Sequence, residues 1–342
     1  MARREEAASP TRRPLPHPRW RRAVLVVFAV AALLVLVGAT YQALGNVLDA
    51  RRHPPPGEFV DVGDGRLHLH CVGDGAPTTV LDAGGGDTSL SWRAVQEALS
   101  DDLRVCAFDR SGFGWSDELG SVHSVTTYVD HQERLLEASG LEEPYLLVGH
   151  SLGGLNAQVF AARAPERVAG MVLVDAAHPE LFDRVPELLN AESDFVSAMR
   201  VLSRLGVVRL AFATGLVDPL AGIDVAPEVH ISYLAQLSRP RHWDSVHRMG
   251  LGLAESLAAV RDVSPPPDIP TIVLTHGIPD QFEGLDDDAD DVERIWQELQ
   301  AELAAGFDNA RLVVVHDSGH LIPLEAPDAV VAAVLEVAAA SR

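Results

Sequence analysis

Residues 149–153 read Gly-His-Ser-Leu-Gly and set one serine, Ser151, in a glycine-rich turn. The apolar residues 145–148 before it predict a buried strand, and residues 152–163 after it predict a helix. A serine in such a turn has its hydroxyl lifted clear of the sheet, and the glycines let strand and helix approach closely. Ser151 is therefore the candidate nucleophile.

A serine hydroxyl needs a neighbouring base before it attacks a carbonyl carbon. Where a serine sits in a turn of this kind, the histidine comes last in the chain order of the triad. Of the 14 histidines, His320 is the one that follows the last predicted strand, at residues 311–315, and it is the candidate base. No histidine has the spacing to a carboxylate that metal ligands show, so we predict neither a metal nor another cofactor.

Two aspartates compete to orient the imidazole of His320 and to stabilise its charge. Asp175 directly ends the predicted strand at residues 168–174, whereas Asp280 lies in a loop some residues after the strand at 271–275. The carboxyl ends of neighbouring parallel strands can both reach one imidazole. We favour Asp175 because it comes straight off a strand, and we keep Asp280 as the alternative.

An acyl-transfer site also needs donors for the oxyanion that forms on the attacked carbonyl. Residues 84–86 are three glycines that follow a short apolar strand, as the second half of an oxyanion hole requires. We assign the hole to the backbone N–H groups of Gly85 and Leu152.

The elements that must position these residues alternate between short apolar strands and helices over residues 58–342. This order predicts an α/β fold with a mostly parallel sheet covered by helices on both faces. About residues 179–267 contain helical stretches but no convincing strand, and they separate two strands of the sheet. We predict that this segment is an inserted helical cap.

These pieces resemble the α/β-hydrolase superfamily over residues 58–340, with the cap excepted. The resemblance rests on the glycines of 84–86 with Trp92, the stretch 108–116 (Phe-Asp-Arg-Ser-Gly-Phe-Gly-Trp-Ser), the 149–153 turn and the Ser-Gly-His of 318–320. It implies an eight-stranded sheet whose second strand is antiparallel, with the cap between strands six and seven. The chain departs from the family in having Ala83 where many relatives have histidine. A serine at position 151 also argues against dehalogenase and epoxide hydrolase chemistry, which use a carboxylate nucleophile.

The sequence has two cysteines, Cys71 at the end of the second predicted strand and Cys106 in the fourth. In the fold that the resemblance implies, these two strands are antiparallel neighbours. We expect a Cys71–Cys106 disulfide if the domain faces an oxidising compartment, and two buried thiols otherwise.

Charge is unevenly distributed along the chain. The formal net charge is −22, yet the first 52 residues carry nine arginines against three acidic residues. The strongly acidic remainder would repel nucleic acid phosphates, so we exclude nucleic acid as a partner.

The N-terminal segment suggests attachment to a membrane. Residues 1–22 are rich in arginine and proline and predict disorder, residues 23–44 carry no charge and are long enough to span a bilayer, and residues 45–57 predict a linker. The arginines before the span predict a cytoplasmic N-terminus and an extracytoplasmic catalytic domain. The alternative is a signal peptide cleaved at the small residues 37–39, which would release a secreted enzyme.

The sequence as a whole predicts a serine hydrolase that cleaves a small-molecule carboxylic ester or related acyl substrate through an acyl-enzyme. A peptidase of the proline-iminopeptidase kind, a thioesterase, a lactonase or a C–C hydrolase would use the same triad. A non-catalytic binding protein that retains the fold is the alternative from another class. The sequence does not fix the oligomeric state.

Overall fold

The computed structural model describes residues 19–341 except 121, 264–267, 280, 281 and 283–288. The predicted disorder of residues 1–22 therefore falls largely outside the described residues, as does Asp280. The described residues form eight strands: β1 (Glu58–Asp61), β2 (Arg66–Val72), β3 (Thr78–Asp82), β4 (Val105–Phe108), β5 (Tyr145–His150), β6 (Val168–Val174), β7 (Thr271–His276) and β8 (Ala310–Val315).

The strands form one sheet in the order β1-β2-β4-β3-β5-β6-β7-β8. The pairs of β2 with β1 and with β4 are antiparallel, and the pairs from β4 through β3 to β8 are parallel. All six residues of β5 are buried, as expected for a central strand covered on both faces. The predicted mostly parallel eight-stranded sheet is confirmed.

Helices cover both faces of the sheet, and each face has its own apolar core. In chain order the helices are α1 (Arg19–Arg52), α2 (Arg93–Leu99), α3 (Val125–Ser139), α4 (Leu152–Arg163), α5 (Leu181–Arg184), α6 (Glu187–Arg204), α7 (Val207–Ala213), α8 (Pro227–Leu237), α9 (Pro240–Leu251), α10 (Leu253–Arg261), α11 (Ala289–Ala305), α12 (Ile322–Glu325) and α13 (Pro327–Ala340).

Helices α5 to α10 lie between β6 and β7, which confirms the predicted helical insertion between strands six and seven. The insertion packs onto the rest of the domain through a small apolar cluster of its own. Leu220, Val229 and Tyr233 from the cap meet Leu90 and Leu324 from the sheet domain there.

Helix α1 is longer than the sequence prediction at both ends. It begins at Arg19 and continues to Arg52, so the predicted linker is helical over its first eight residues, 45–52. The polar residues Gln42 and Asp49 in its second half are buried against the cap, which explains why the helix does not stop where the apolar run ends. Only residues 53–57 remain as a connection to the sheet.

The two cysteines face each other across β2 and β4, where Cys71 and Cys106 are register partners. Their Cα atoms are 4.0 Å apart and their sulfur atoms are joined as a disulfide. The bridge ties the antiparallel edge of the sheet to its parallel centre.

Replacing both Cys71 and Cys106 by alanine is expected to lower the free energy of unfolding by about 2–4 kcal/mol. The physical reason is that the disulfide closes a loop in the unfolded chain and so reduces its entropy. Urea unfolding of the oxidised protein, the reduced protein and the double variant measures this. Equal stability of the oxidised and reduced proteins would contradict the expectation.

Candidate active site

Ser151 lies in the turn between β5 and α4, with backbone angles φ 50° and ψ −116°. A residue other than glycine seldom adopts these backbone angles. They cost about 1–3 kcal/mol and persist only where the surrounding structure enforces them. Here the N–H of Ser151 donates to the carbonyl of Val174 at 3.0 Å, and the N–H of Ala177 donates to the carbonyl of Ser151 at 3.0 Å. A Cβ at Gly149 would collide with the backbone of Gly153, so the turn requires glycine there.

Asp175 and His320 are in direct contact. The Nδ1 of His320 lies 2.6 Å from Oδ2 of Asp175, and the aspartate is completely buried. Asp175 follows β6 with φ 44°, so its carboxylate leaves the strand at a sharp angle toward the imidazole. The structure thus brings His320 to Asp175, the acid favoured from the sequence.

Several other donors converge on the carboxylate of Asp175. Its Oδ1 accepts from the indole N–H of Trp296 at 3.0 Å, from the hydroxyl of Thr275 at 3.1 Å and from the backbone N–H of His276 at 3.2 Å. Burial by itself would raise the pKa of Asp175, but the hydrogen bonds from His276 and His320 outweigh it and hold that pKa well below its usual range. The carboxylate is therefore an ionised acceptor of fixed orientation.

A second histidine, which the sequence reasoning missed, shares that carboxylate. The Nδ1 of His276 lies 2.6 Å from the same Oδ2 of Asp175, and its Nε2 lies 2.8 Å from Oε1 of Glu293. Burial opposes the imidazolium, but the hydrogen bonds to Asp175 and Glu293 outweigh it and raise the pKa of His276 to about 10. The available signal was the position of His276 as the last residue of β7, beside the end of β6.

Asp175, His276 and His320 also have the composition of a metal site, since their ligand atoms lie within 4.8 Å of one another. Both imidazole Nδ1 atoms are nevertheless at hydrogen-bonding distance from one oxygen of Asp175. The cluster therefore fits a hydrogen-bonded triad better than a cation site.

His150, the residue before Ser151, holds the loop that carries His320. It is buried, and its Nε2–H donates to the carbonyl of His320 at 2.9 Å. Burial, with the nearby His320, lowers the pKa of His150 to about 3, so its ring is neutral. It fixes the backbone of His320.

The glycine turn of residues 84–86 is held by Arg110, another residue that the sequence reasoning missed. The buried guanidinium of Arg110 donates to Oδ1 of Asp82 at 2.7 Å and to the carbonyls of Ala83 and Gly84. The carbonyl of Gly84 also accepts from the N–H of Asp87 at 3.1 Å, which closes the turn.

Gly85 and Leu152 are neighbours across the mouth of the site, since a Cβ on Gly85 would lie 3.8 Å from Cβ of Leu152. Leu152 is the first residue of α4, so its N–H has no acceptor within the helix. The structure therefore places side by side the two residues to which the sequence assigned the oxyanion hole.

Cap helix α9 covers this position with apolar side chains. Met249 and Val246 are the groups that a Cβ on Gly85 or Gly86 would meet, at 3.2 Å and 3.4 Å. On the next residue of the turn, burial raises the pKa of Asp87 to about 6. The cap thus covers the glycine turn with the side chains of Met249 and Val246.

The sequence and the fold are similar to those of known hydrolases. Residues 80–199 match the family described as alpha/beta hydrolase fold. A 2-hydroxymuconate semialdehyde hydrolase of Pseudomonas sp. (strain CF600) is 32% identical over 268 residues, which is 76% of this chain and 86% of that protein. An esterase from Thermogutta terrifontis superposes with a TM-score of 0.59 at 24% identity and covers 83% of this chain and 98% of its own.

Other curated relatives match only in part. An uncharacterized protein of Schizosaccharomyces pombe is 34% identical over 45% of this chain, but the match spans 34% of that protein. For two further relatives the match spans 20% and 52% of their length. The match to the Pseudomonas hydrolase extends over most of both proteins. Together with the eight-stranded fold, it establishes that this chain belongs to the α/β-hydrolase family.

His276→Asn is expected to move the acidic limb of the pH–rate profile to higher pH by about one unit. The reason is that His320, the candidate base, loses the neighbouring positive charge of His276. The groups facing His276 are Asp175, Glu293 and His320. The measurement is kcat/KM against pH for wild type and variant. A lower rate with an unmoved acidic limb would show that His276 acts only through packing.

His276 also makes stability depend on pH. Its pKa in the folded protein, about 10, lies above its ordinary value of 6.5, so its stabilising contribution is complete below pH 6.5 and is lost as the pH rises through 10. The difference in Tm between wild type and His276→Asn should therefore shrink as the pH rises over that interval. A difference that grows with pH would contradict the assignment of a protonated His276.

Proposed function

We propose that this protein is a serine hydrolase that cleaves carboxylic esters through an acyl-enzyme, with Ser151 as nucleophile, His320 as base and Asp175 as the orienting acid. The observation that carries the proposal is the 2.6 Å contact of His320 with a buried Asp175, next to a serine held in a strained strand-to-helix turn. Membership of the hydrolase family supports the reaction class. The finer assignments rest on the geometry of these three residues.

The proposed reaction has two halves. His320 accepts the hydroxyl proton of Ser151 while Oγ bonds to the ester carbonyl carbon, and the carbonyl electron pair becomes an oxyanion that the N–H groups of Gly85 and Leu152 bind. The oxyanion collapses, the C–O bond to the alcohol breaks, and His320 returns its proton to the departing alkoxide. Water then repeats the sequence on the acyl-enzyme, releases the acid and regenerates Ser151.

The side chains of the cap support the proposal that the acyl substrate is lipophilic. Met249 and Val246 stand over the proposed oxyanion hole. A substrate group that extends from the reaction centre toward the cap therefore meets the thioether of Met249 and the methyl groups of Val246.

We also propose that α1 anchors the enzyme in a membrane, with the N-terminus cytoplasmic. The support is that α1 is long and apolar enough to cross a bilayer and that its apolar side chains are exposed, as a lipid-facing helix requires. Basic residues flank it on the N-terminal side. A signal peptide cleaved within the helix is the alternative, and it predicts a mature protein that begins after residue 39.

A C–C hydrolase is the second candidate function. It is supported by the Pseudomonas relative, which is named for a semialdehyde hydrolase and covers most of this chain. The same nucleophile and base would serve a carbon leaving group in place of an alkoxide, as they would serve the amine, thiol or tethered alcohol of a peptidase, thioesterase or lactonase. The substrate therefore has to be determined by assay.

Labelling with a fluorophosphonate probe tests the triad. Ser151→Ala should abolish labelling because the nucleophilic oxygen is gone, and Asp175→Asn should slow it by roughly 10³–10⁴-fold because His320 loses its orienting acceptor. Ser139→Ala is the matched serine control, since Ser139 lies at the end of α3 with its hydroxyl bonded to a backbone carbonyl. Slow labelling in Asp280→Asn but not in Asp175→Asn would overturn the choice of acid.

A substrate panel separates the two candidate functions. Medium-chain nitrophenyl esters and a 2-hydroxy-6-oxo-dienoate are offered to the same preparation, and higher kcat/KM for the esters is expected. A preference for the dienoate would establish the C–C hydrolase. Turnover of neither, with no fluorophosphonate labelling of a folded protein, would favour a non-catalytic binding protein.

A further inference from the structure

One face of α1 docks onto the cap. Gly38, Gln42, Gly45 and Asp49 follow one another at intervals of three and four residues, which places them on a single face of the helix. A Cβ at Gly38 would collide with the carbonyl of Leu205, and one at Gly45 would meet the guanidinium of Arg209. The absence of side chains at the two glycines lets the cap approach the helix backbone.

Polar groups lock this contact. Arg209 of α7 donates to Asp49 at 2.6 Å, to Asn46 at 3.0 Å and to Gln42 at 3.2 Å. The amide of Gln42 in turn donates to the carbonyl of Ser238 at 3.0 Å. Arg209 and Asp49 have side chains only 11% and 12% exposed, so their charges neutralise each other inside the contact.

The position of this contact along α1 sets its depth in a bilayer. About 20 residues cross the hydrocarbon core, so a span that starts after Arg22 reaches its far boundary near Gln42. At about 1.5 Å per residue, Gly38 lies about 6 Å inside that boundary. The turn between α6 and α7, which touches Gly38 through Leu205 and Gly206, must lie at the same depth.

The side chains around that turn suit a lipid environment. Val201, Leu202, Val207 and Leu210 are large, apolar and between 36% and 58% exposed. The charges nearby are paired, since Arg209 bonds Asp49 and Arg204 bonds both carboxylate oxygens of Asp244. We name these four apolar residues the α6–α7 patch.

We propose that the α6–α7 patch is inserted into the outer leaflet of the membrane beside α1, so that the cap is embedded in lipid and not merely tethered near it. This inference rests on the proposed anchoring by α1. Arg200 and Arg204 of α6 bond Asp244 of α9, the helix that carries Met249 over Gly85. The lipid-inserted end of the cap is thus connected by these ion pairs to the helix that covers Gly85.

Depth-dependent quenching in proteoliposomes of phosphatidylcholine and phosphatidylglycerol tests the proposal on the full chain. Both native cysteines are joined in the disulfide, so one added cysteine can be labelled selectively with a fluorophore. Val207→Cys probes the patch, Val30→Cys probes the anchor and Leu216→Cys is the matched control. Fluorophosphonate labelling of each variant at the wild-type rate verifies its fold.

Leu216 is an informative control because, like Val207, it is an apolar, exposed residue of the cap. Val207 begins α7, whereas Leu216 lies just beyond the end of that helix. Two residues after Leu216, Asp218 bonds His230 of α8. Ser232, also in α8, bonds His53, which lies just beyond the end of α1. At about 1.5 Å per residue, His53 lies about 16 Å outside the boundary near Gln42.

The label at Val207 should be quenched several-fold more strongly than the label at Leu216 by lipids carrying a doxyl group near the headgroup, and it should resist aqueous iodide. If Val30 is quenched by deep doxyl lipids while Val207 behaves like Leu216, the anchor stands and the insertion is wrong. If Val207 resists both quenchers, a second copy of the chain covers the patch and the insertion is wrong. If Val30 is not quenched either, the anchoring itself fails.

Discussion

Two residues at the ends of neighbouring parallel strands, Ser151 after β5 and Asp175 after β6, have positive φ angles of 50° and 44°. The backbone binds these two strained turns to each other, because Ser151 donates to the end of β6 and accepts from Ala177. Neither conformation would persist alone, since each costs free energy that only a rigid sheet can offset. The proposed nucleophile and the proposed acid are therefore held by the same few hydrogen bonds, and a shift of either turn would displace both.

The electrostatics of the site follow from the burial of Asp175. A lone buried carboxylate would take up a proton, but here two imidazoles, an indole and a hydroxyl donate to it and keep it ionised. His276 carries a positive charge between Asp175 and Glu293, and His150 is kept neutral by its burial beside His320. The rings of His150 and His276 both lie against that of His320, and differences in their own partners give these two histidines different charges.

Much of the fold was predictable because its signals are local. The glycines around Ser151 predicted the turn that holds it. The short apolar strands predicted the sheet, and the long interval without a strand before β7 predicted the cap. His276 was missed because nothing within its own strand distinguishes it, and its role arises only when β7 lies beside β6. The end of α1 was misplaced for the same reason, since residues 45–52 are stabilised by Arg209, which is 160 residues from Asp49 along the chain. Asp280 lies outside the described residues, so the choice of acid rests on the contact that Asp175 makes.

A crystal structure of the full chain after reaction with an alkyl fluorophosphonate tests the account of the site most directly. The account predicts phosphorus on Oγ of Ser151, the phosphoryl oxygen within hydrogen-bond distance of the N–H groups of Gly85 and Leu152, and His320 still bonded to Asp175. A phosphoryl oxygen turned away from Gly85, or His320 bonded to Asp280 in place of Asp175, would contradict it.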